Sequence, residues 1–168
     1  HYDGHVSESF SAGPVEGGAH VGGFVGYNWA AISRCYSMGT VNGVYKIGGF
    51  VGWNHGWDKP AGRIDNCYSI ASVRGQGRVG GFVGDNDKAI VDYCYSVGQG
   101  HGDWSSGGFG GRNNSTVSNC FWDVETSGLS DSYGGIGWPT YKMQDIKIYL
   151  DTGWYFVDEV SNGTRDIW

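Results

Sequence analysis

The chain has 168 residues, about the length of one domain, with 32 glycines, 3 prolines and an aromatic content of 15%. Its formal net charge of −6 and the lack of a basic cluster disfavour a nucleic-acid binder, because such a protein needs cations to pair with phosphates. No apolar run in the sequence approaches the ~18 residues of a membrane span, and the aromatic content is too high for a disordered chain.

Two short stretches alternate along the sequence. The first reads Val/Ile-Gly-Gly-Phe-Val-Gly and ends in Asn, at residues 21–28, 47–54 and 79–86, with a degraded copy at 107–113. The second contains Cys-Tyr-Ser, at residues 32–41, 64–73 and 91–98. Partial copies lie at 6–15, where Ser9 takes the cysteine position, and at 117–122. Self-similarity at a fixed period is typical of a solenoid.

Both stretches are predicted to be β-strands. Glycine costs about 1 kcal/mol per residue in a helix interior, and each complete copy of the first stretch carries several glycines. In the second stretch, alternation places Cys35, Ser37 and Val41 on one face and Tyr36 and Met38 on the other. We therefore expect each repeat to form two short strands joined by glycine-rich corners.

Parallel stacking of such repeats, at about 4.8 Å per layer, aligns equivalent residues into rows. The predicted fold is all-β: a parallel, β-helix-like solenoid of about four rungs at residues 1–120, followed by a small irregular α+β cap at 121–168. Apolar rows and a row of hydrogen-bonded amides are expected to stack. The rows are Phe24, Phe50, Phe82 and Phe109; Cys35, Cys67, Cys94 and Cys120; Phe10, Tyr36, Tyr68, Tyr95 and Phe121; and Asn28, Asn54, Asn86 and Asn113.

The C-terminal cap is predicted to contain a short helix and a strand. Residues 139–145 form the helix, with Thr140 as its N-cap and with Met143 and Ile146 on its buried side. Residues 154–157 form the strand. We expect the cap to cover the last rung, because an open strand edge invites aggregation.

The four cysteines leave three alternatives. Their spacing of 26 to 32 residues is unlike the short cysteine pairs of a zinc site. Adjacent rungs bring the Cα atoms within disulfide range, but in-register side chains hold the Cβ atoms further apart than the usual ~3.8 Å. Because Ser9 occupies an equivalent position, a row of reduced, buried thiols is favoured over disulfides and over a metal site.

Metal sites have weaker support. His1, His5, His20, His55 and His101 share no common repeat position, so solvated turn histidines are favoured over metal ligands. Asp85 and Asp87 offer oxygens to Ca²⁺, but their segment lacks the spaced ligands of an EF-hand loop, and an ordinary polar corner is favoured. We expect no cofactor.

Catalytic residues are not indicated. Asp58 with Asp65, or Asp85 with Asp92, can be placed at the separation that glycoside hydrolysis needs, but so can many pairs in an acidic chain. No nucleophile signature, phosphate loop or nucleotide fingerprint is present in the sequence. An enzyme is therefore not expected.

Five aromatic residues form the best ligand-binding hypothesis, with a polysaccharide as the ligand: Tyr27, Trp29, Trp53, Trp57 and Trp104. Tyr27 and Trp53 share the position before the row asparagine, and the other three lie in corners. Flat rings in a row stack on sugar rings; the alternative is that they cover the side of the solenoid. Asp85 and Arg112 interrupt the row on the later repeats.

The combination of Gly-Phe-Val-Gly with Cys-Tyr-Ser about ten residues later resembles the GLUG-motif repeat, with Phe where that motif usually has Leu. Residues 120–128 resemble the segment that ends such arrays. Members of the family are large secreted or surface-attached microbial proteins, including adhesin-like chains and some surface peptidases. The resemblance implies a β-solenoid and an extracellular or cell-surface location, and it implies no catalytic residues. Asn114 and Asn162 begin formal N-glycosylation sequons.

We therefore expect an extracellular structural protein. Residues 1–17 form half a repeat without a Gly-Gly-Phe copy before it. Either adjoining repeats of a longer parent chain complete this half, as in an adhesin-like array, or another copy of the protein does so in a head-to-tail filament. A carbohydrate-binding module and a polysaccharide-degrading solenoid enzyme are the alternatives.

Overall fold

Short strands separated by corners make up most of this chain. The computed structural model describes residues 4–57 and 62–157. In chain order the elements are β1 (His5–Ser7), β2 (Phe10–Ala12), β3 (Val15–Glu16), β4 (Ala19–Gly22), β5 (Val25–Asn28), β6 (Ala31–Ser33), β7 (Tyr36–Met38), β8 (Thr40–Asn42), β9 (Tyr45–Gly48), β10 (Val51–His55), β11 (Arg63–Ser69), β12 (Ser72–Gly80), β13 (Val83–Ser96), β14 (Gly100–Gly107), β15 (Asn113–Ser118), β16 (Phe121–Asp123), α1 (Val124–Ser127), β17 (Ile136–Trp138), α2 (Thr140–Met143) and α3 (Ile146–Leu150).

The strands form two sheets, and the pairings between the described strands are parallel. The eleven-stranded sheet contains the strands that follow Gly-Gly-Phe (β5, β10 and the first part of β13) and those around Cys-Tyr-Ser. The six-stranded sheet contains β3, β4, β8, β9, β12 and β14. The expected all-β architecture with parallel sheets is confirmed. No helix among the described residues is long and apolar enough to cross a bilayer.

Equivalent residues of successive repeats pair in register. Asn54 faces Asn28 on one side and Asn86 on the other, and Asn86 faces Asn113. The longer second repeat keeps this register, because Val51 faces Val83 before its insertion and Ile64 faces Val91 after it. The additional residues between β10 and β11 therefore do not shift the pairing of the strands on either side.

The first two repeats contain more strands than the two expected, whereas in the third β13 runs unbroken from Val83 to Ser96. The segment around Arg34 is divided into β6, β7 and β8, with positive φ at Arg34 (51°) and at Gly39 (107°). L-residues adopt such left-handed angles at a cost of about 1–2 kcal/mol. Nevertheless, non-glycine residues with positive φ recur at two places in the repeat. One series precedes the cysteine position (Glu8, Arg34, Asn66, Tyr93 and Asn119), and the other precedes Val/Ile-Gly or its equivalent (His20, Lys46, Arg78 and Ser105).

The cysteine side chain stabilises the first of these corners. Each of the four thiols donates to the backbone carbonyl two residues earlier, at 2.9 to 3.2 Å. Ser9 makes the same bond to the carbonyl of Ser7 at 2.9 Å. The position therefore selects a short side chain with a proton to donate, which explains why serine replaces cysteine there.

The thiol row is buried and free of disulfides. The hydrogen bond with Cys67, followed by burial, raises the pKa of Cys35, and burial raises the pKa of Cys94. These two thiols therefore stay protonated near neutral pH, as donation to a carbonyl requires.

Stacked phenylalanine rings form part of the buried core. Phe24, Phe50, Phe82 and Phe109 lie face to face, with centroids 4.9 Å apart and interplanar angles of 5 to 8°. The Gly-Gly pair before each ring has a steric reason: the carbonyl of Gly81 occupies the place where residue 49 would carry a Cβ atom. Backbones of successive repeats approach each other too closely at this point for any side chain.

A second aromatic row lies on the outer face. Phe10, Tyr36, Tyr68 and Tyr95 stack in order, with centroids 4.9 to 5.1 Å apart. Phe121 pairs with Tyr95 and is buried, whereas Phe10 at the opposite end is 62% exposed. The expected stacking is confirmed for these rings, and burial in the row increases from Phe10 to Phe121.

The parallel pairing continues beyond residue 120. β16 pairs with β13, and β17 pairs in turn with β16 through Phe121 and Ile136. Trp154 packs on Tyr95 and Phe121, at centroid distances of 6.2 and 5.9 Å. The C-terminal segment thus adds a partial layer and also covers one end of the outer aromatic row.

Several predicted details of this segment are wrong. Thr140 is the first residue of α2 and not its N-cap, since its hydroxyl donates to Asp123 Oδ2 at 2.7 Å. Met143 is buried as expected, but Ile146 is 47% exposed because Asp145 caps a separate helix, α3, that starts there. Trp154 and the two residues after it form no strand.

We predict that Asn54→Ala lowers the free energy of unfolding by about 2–4 kcal/mol. Asn54 is fully buried; it accepts from Asn28 at 2.9 Å and donates to Asn86 at 2.9 Å, so its loss deprives two buried amides of a partner. Urea denaturation measures the effect. Asn113→Ala, at the end of the row, is the matched control and should cost about half as much. Equal costs for the two variants would contradict the account.

A second prediction concerns the left-handed corners. Lys88 is exposed and has φ 52°. Lys88→Gly should raise the unfolding free energy by up to about 1 kcal/mol, whereas the β-branched Lys88→Val should lower it by a similar amount. Thr116, an exposed strand residue, is the control and should show the reverse order of glycine and valine. The same order at both positions would contradict a left-handed requirement at Lys88.

Candidate functional site

Three rows of side chains meet at one corner of the stack, next to the asparagine row. They come from the left-handed position before Val/Ile-Gly, the position before the row asparagine and the position after it. Because the repeats pair in register, each row runs from the first repeat to the fourth. The rows are His20, Lys46, Arg78 and Ser105; Tyr27, Trp53, Asp85 and Arg112; and Trp29, His55, Asp87 and Asn114.

The first two repeats contribute an aromatic patch, which we define as His20, Tyr27, Trp29, Trp53, His55 and Trp57. Tyr27 is at its centre, with centroid distances of 4.7 Å to both Trp29 and Trp53. Trp57 lies 6.2 Å from Trp29 and is 65% exposed. The structure therefore brings together four of the five aromatic residues predicted from the sequence.

The rings of the patch are not the flat row that the sequence suggested. Tyr27 meets Trp53 at 63° and Trp29 at 72°, the edge-to-face geometry that the ring quadrupoles favour. One face of Trp53 is also occupied, because Lys46 Nζ lies 3.2 Å from its ring centroid. Trp53 therefore packs within the surface and does not offer an open ring face there.

The second to fourth repeats contribute a charged cluster, which we define as Lys46, Arg78, Asp85 and Arg112. The Asp85 carboxylate, with a side chain only 1% exposed, contacts all three cations through Oδ2. The distances are 2.6 Å to Arg78 and 3.4 Å to both Lys46 and Arg112. One carboxylate among three cations leaves a local excess of positive charge.

The fifth predicted aromatic residue, Trp104, lies apart from the patch and beside the charged cluster. Three atoms of its indole occupy the space above Gly77 where a Cβ atom would stand. The ring lies 5.9 Å from Tyr45, and the guanidinium of Arg78 lies 4.8 Å from the Tyr45 ring. Trp104 is 57% exposed. The Tyr45 ring thus lies near both Trp104 and Arg78, and Arg78 in turn pairs with Asp85.

The environment shifts two titrating groups at this corner. Burial, followed by repulsion from Lys46, lowers the pKa of His20, although Asp85 opposes the shift. Burial also lowers the pKa of Lys46, with Asp85 again opposing. His20 is therefore neutral at pH 7, and the cationic character of the corner comes from Arg78, Arg112 and Lys46.

The carboxylates named as calcium or catalytic candidates face other groups. Asp85 is enclosed by its three cations, so a Ca²⁺ ion would have to displace them, and Asp87 lies 3.3 Å from His55 Nδ1. Asp92 accepts hydrogen bonds from Ser118 and Asn119. No group of three or more metal-ligating side chains is found in the part of the chain that the structure describes.

The remaining candidates are scattered. His5 Nε2 is 3.0 Å from the hydroxyl of Ser33, and His101 is exposed on β14. Asn114 is exposed, which leaves its sequon accessible. His1, Asp58 and the sequon at Asn162 lie outside the described residues.

His20, Lys46 and His55 were not predicted to lie at the aromatic surface. The sequence did indicate three equivalent positions, because His20, Lys46 and Arg78 each precede a Val/Ile-Gly-Gly. A row of side chains at this position could therefore have been predicted. The proximity of this row to Tyr27 and Trp53 could not be predicted from the sequence, because it depends on the left-handed backbone at His20 and Lys46.

Comparison with known proteins gives one finding. A family model described as the GLUG motif matches residues 17–42 and 43–74, and each match contains one copy of both sequence stretches. No curated protein and no solved structure matches the chain. The later copies, at 79–98, lie outside the match but pair with it in register.

We predict that the imidazole of His20 titrates below the ordinary value of 6.5, because burial and Lys46 disfavour its protonated form. The folded state then binds fewer protons than the unfolded state, so His20 should lower stability as the pH falls through 6.5. NMR titration measures the pKa directly. Lys46→Met should shift it part of the way back. A His20 pKa at or above 6.5 would contradict the assignment.

Proposed function

We propose that this chain, which belongs to the GLUG-motif family, is an extracellular structural protein: a β-solenoid of about four rungs to which further rungs are added end to end. The supporting observation is the set of open strand edges at the N-terminal end of both sheets. Among the described residues, β1 to β5 each pair with a strand on one side only. Such edges bind another strand readily.

The solenoid interpretation is supported by the continuity of the rows. A single repeat has no core of its own, because its Phe, Cys and Asn side chains find their partners in the neighbouring repeats. Stability in such a stack is about the sum of its rungs and the interfaces between them. A chain of this kind is suited to spacing and to load-bearing rather than to chemistry.

The open end is shaped for another rung of the same kind. Phe24 stacks on Phe50, and Phe10 on Tyr36, so each presents its other ring face to the open end. The asparagine row has a direction: each Nδ2 donates to the Oδ1 of the next repeat. Asn28 Oδ1 accepts from the backbone of Ala30 and retains a second lone pair. An asparagine in a preceding rung would find an acceptor there.

Two sources supply such a rung: an adjoining repeat of a longer parent chain, or the opposite end of a second copy. At that opposite end, β14 pairs with β12 and β15 with β13, on one side each among the described residues. Contacts between two different ends are heterologous and produce open filaments. Both sources would use the open N-terminal edges; the filament also needs β14 and β15 as the opposite edge, and the test below distinguishes the two.

An extracellular location is compatible with the four thiols. Oxidation and disulfide exchange need an accessible thiolate. All four cysteines are at most 2% exposed, and the pKa values of Cys35 and Cys94 are raised. Burial of all four side chains therefore limits the access of oxidants to the row.

The test removes one hydrogen-bond donor from the open edge. Ala19 is exposed and faces Tyr45, whose N–H donates to the carbonyl of Gly18, so parallel pairing directs the Ala19 N–H away from β9. We predict concentration-dependent rods of the natural chain in electron microscopy and sedimentation. Ala19→Pro should shift this association to at least tenfold higher concentration with little change in melting temperature. Ala19→Ser, which keeps the N–H, should behave as the natural chain does.

A second arm separates the filament from the rung-adding property itself. A chain in which residues 17–42 are repeated in tandem, so that Asn42 is followed by a second copy starting at Gly17, keeps the register and should melt at a higher temperature, because a new rung adds an interface. Monomers at all concentrations would contradict the filament, and an unchanged melting temperature of the extended chain would contradict the end-to-end addition of rungs.

A further inference from the structure

We propose that the corner surface binds an anionic polysaccharide, with sugar rings stacking on Trp104 and acidic groups pairing with Arg78 and Arg112. This binding function goes beyond the structural role and does not depend on filament formation. Three observations support it: an open indole face at Trp104, an excess of positive charge connected to it through Tyr45, and a second exposed ring, Trp57, in the aromatic patch that adjoins the charged cluster.

Trp104 provides a flat, open platform. Its indole lies against the backbone at Gly77, with three ring atoms where a Cβ atom would stand, so one face is covered by β12. Because the residue is 57% exposed, the opposite face is open to solvent. An exposed tryptophan on a paired strand is a rigid surface of the kind on which sugar rings stack. By contrast, Lys46 already covers a face of Trp53.

The charged cluster is connected to this platform through Tyr45, whose ring lies near both Trp104 and the Arg78 guanidinium. Three cations surround Asp85, so the cluster carries a net excess of two positive charges on a chain whose total is −6. The side chains of Arg78 and Arg112 are 24% and 36% exposed, whereas that of Asp85 is 1% exposed. The carboxylate therefore holds the guanidinium groups in place from below, and they remain accessible to an anion from above. Guanidinium groups held in this way suit carboxylate and sulfate oxygens.

The surface is long enough for an oligosaccharide. Trp104 belongs to the fourth repeat, whereas Trp29 and Tyr27 belong to the first. Three layers at about 4.8 Å separate them by about 14 Å. Trp57, next to Trp29, is 65% exposed and offers a second open ring at the far end. Side-chain contacts join Trp104 to Trp57 through Tyr45, the charged cluster and the aromatic patch, so an acidic polymer that follows them can contact both exposed rings.

The test is affinity electrophoresis and calorimetry with four probes: polygalacturonate, dextran sulfate, neutral dextran and a single-stranded oligonucleotide. We expect binding to polygalacturonate or dextran sulfate, which distinguish carboxylate from sulfate recognition, and at least tenfold weaker binding to dextran. Trp104→Ala should weaken binding at least tenfold. Arg112→Gln should weaken it severalfold and reduce its salt dependence.

Matched controls separate the site from general effects of aromatic content or charge. Tyr141 is a 69% exposed ring on α2, and Arg34 is an exposed arginine paired with Glu8 elsewhere on the surface. Tyr141→Ala and Arg34→Gln should leave affinity within twofold of the natural chain, and melting temperatures verify that all variants are folded. Equal binding of dextran, tighter binding of the oligonucleotide, no binding of either acidic probe, or equal losses in the control variants would each overturn the proposal.

Discussion

The row of buried asparagine amides is the interaction on which the register of this structure depends. An amide group carries both a donor and an acceptor, so identical side chains one layer apart satisfy each other, as Asn54 does with Asn28 and Asn86. A shift of one residue between repeats would break this row and turn the phenylalanines from the interior to the outside. A shifted register would be costly, because each buried amide left without a hydrogen-bond partner destabilises the fold by about 1–3 kcal/mol.

The in-register pairing is accompanied by two further features of the repeat: left-handed corners at non-glycine residues, and corner rows whose residues change from one repeat to the next. The left-handed corners cost free energy at non-glycine residues such as Arg34 and Tyr93, and the thiol that follows each of them donates to the carbonyl at the corner. The interior Phe and Asn rows repeat the same residue in each layer, whereas the corner rows change from aromatic in the first repeat to charged in the third. The proposed polysaccharide site uses these corner rows, and the proposed addition of rungs uses the open strand edges.

Much of the fold could be predicted from the sequence, because aligning the repeats shows which residues pair between neighbouring strands. Aligning the Gly-Gly-Phe copies was sufficient to place the Phe, Cys and Asn rows. The left-handed corners were not predictable, since arginine and lysine, as at Arg34 and Lys46, do not indicate a positive φ. The corner surface was predicted in part: Tyr27 and Trp53 were placed together, but the edge-to-face packing, the cover provided by Lys46 and the burial of Asp85 depend on side-chain contacts between repeats. In the C-terminal segment the period is lost, and so are the grounds for prediction, as Thr140 and Ile146 illustrate.

A double-mutant cycle on the asparagine row tests the central claim most directly. Asn54→Ala and Asn86→Ala, measured singly and together by urea denaturation, should show a coupling energy of at least about 1 kcal/mol, because the two amides contact each other. The non-adjacent pair Asn28 and Asn113 should be additive within about 0.5 kcal/mol. Additive effects for Asn54 and Asn86 would contradict in-register stacking of these repeats.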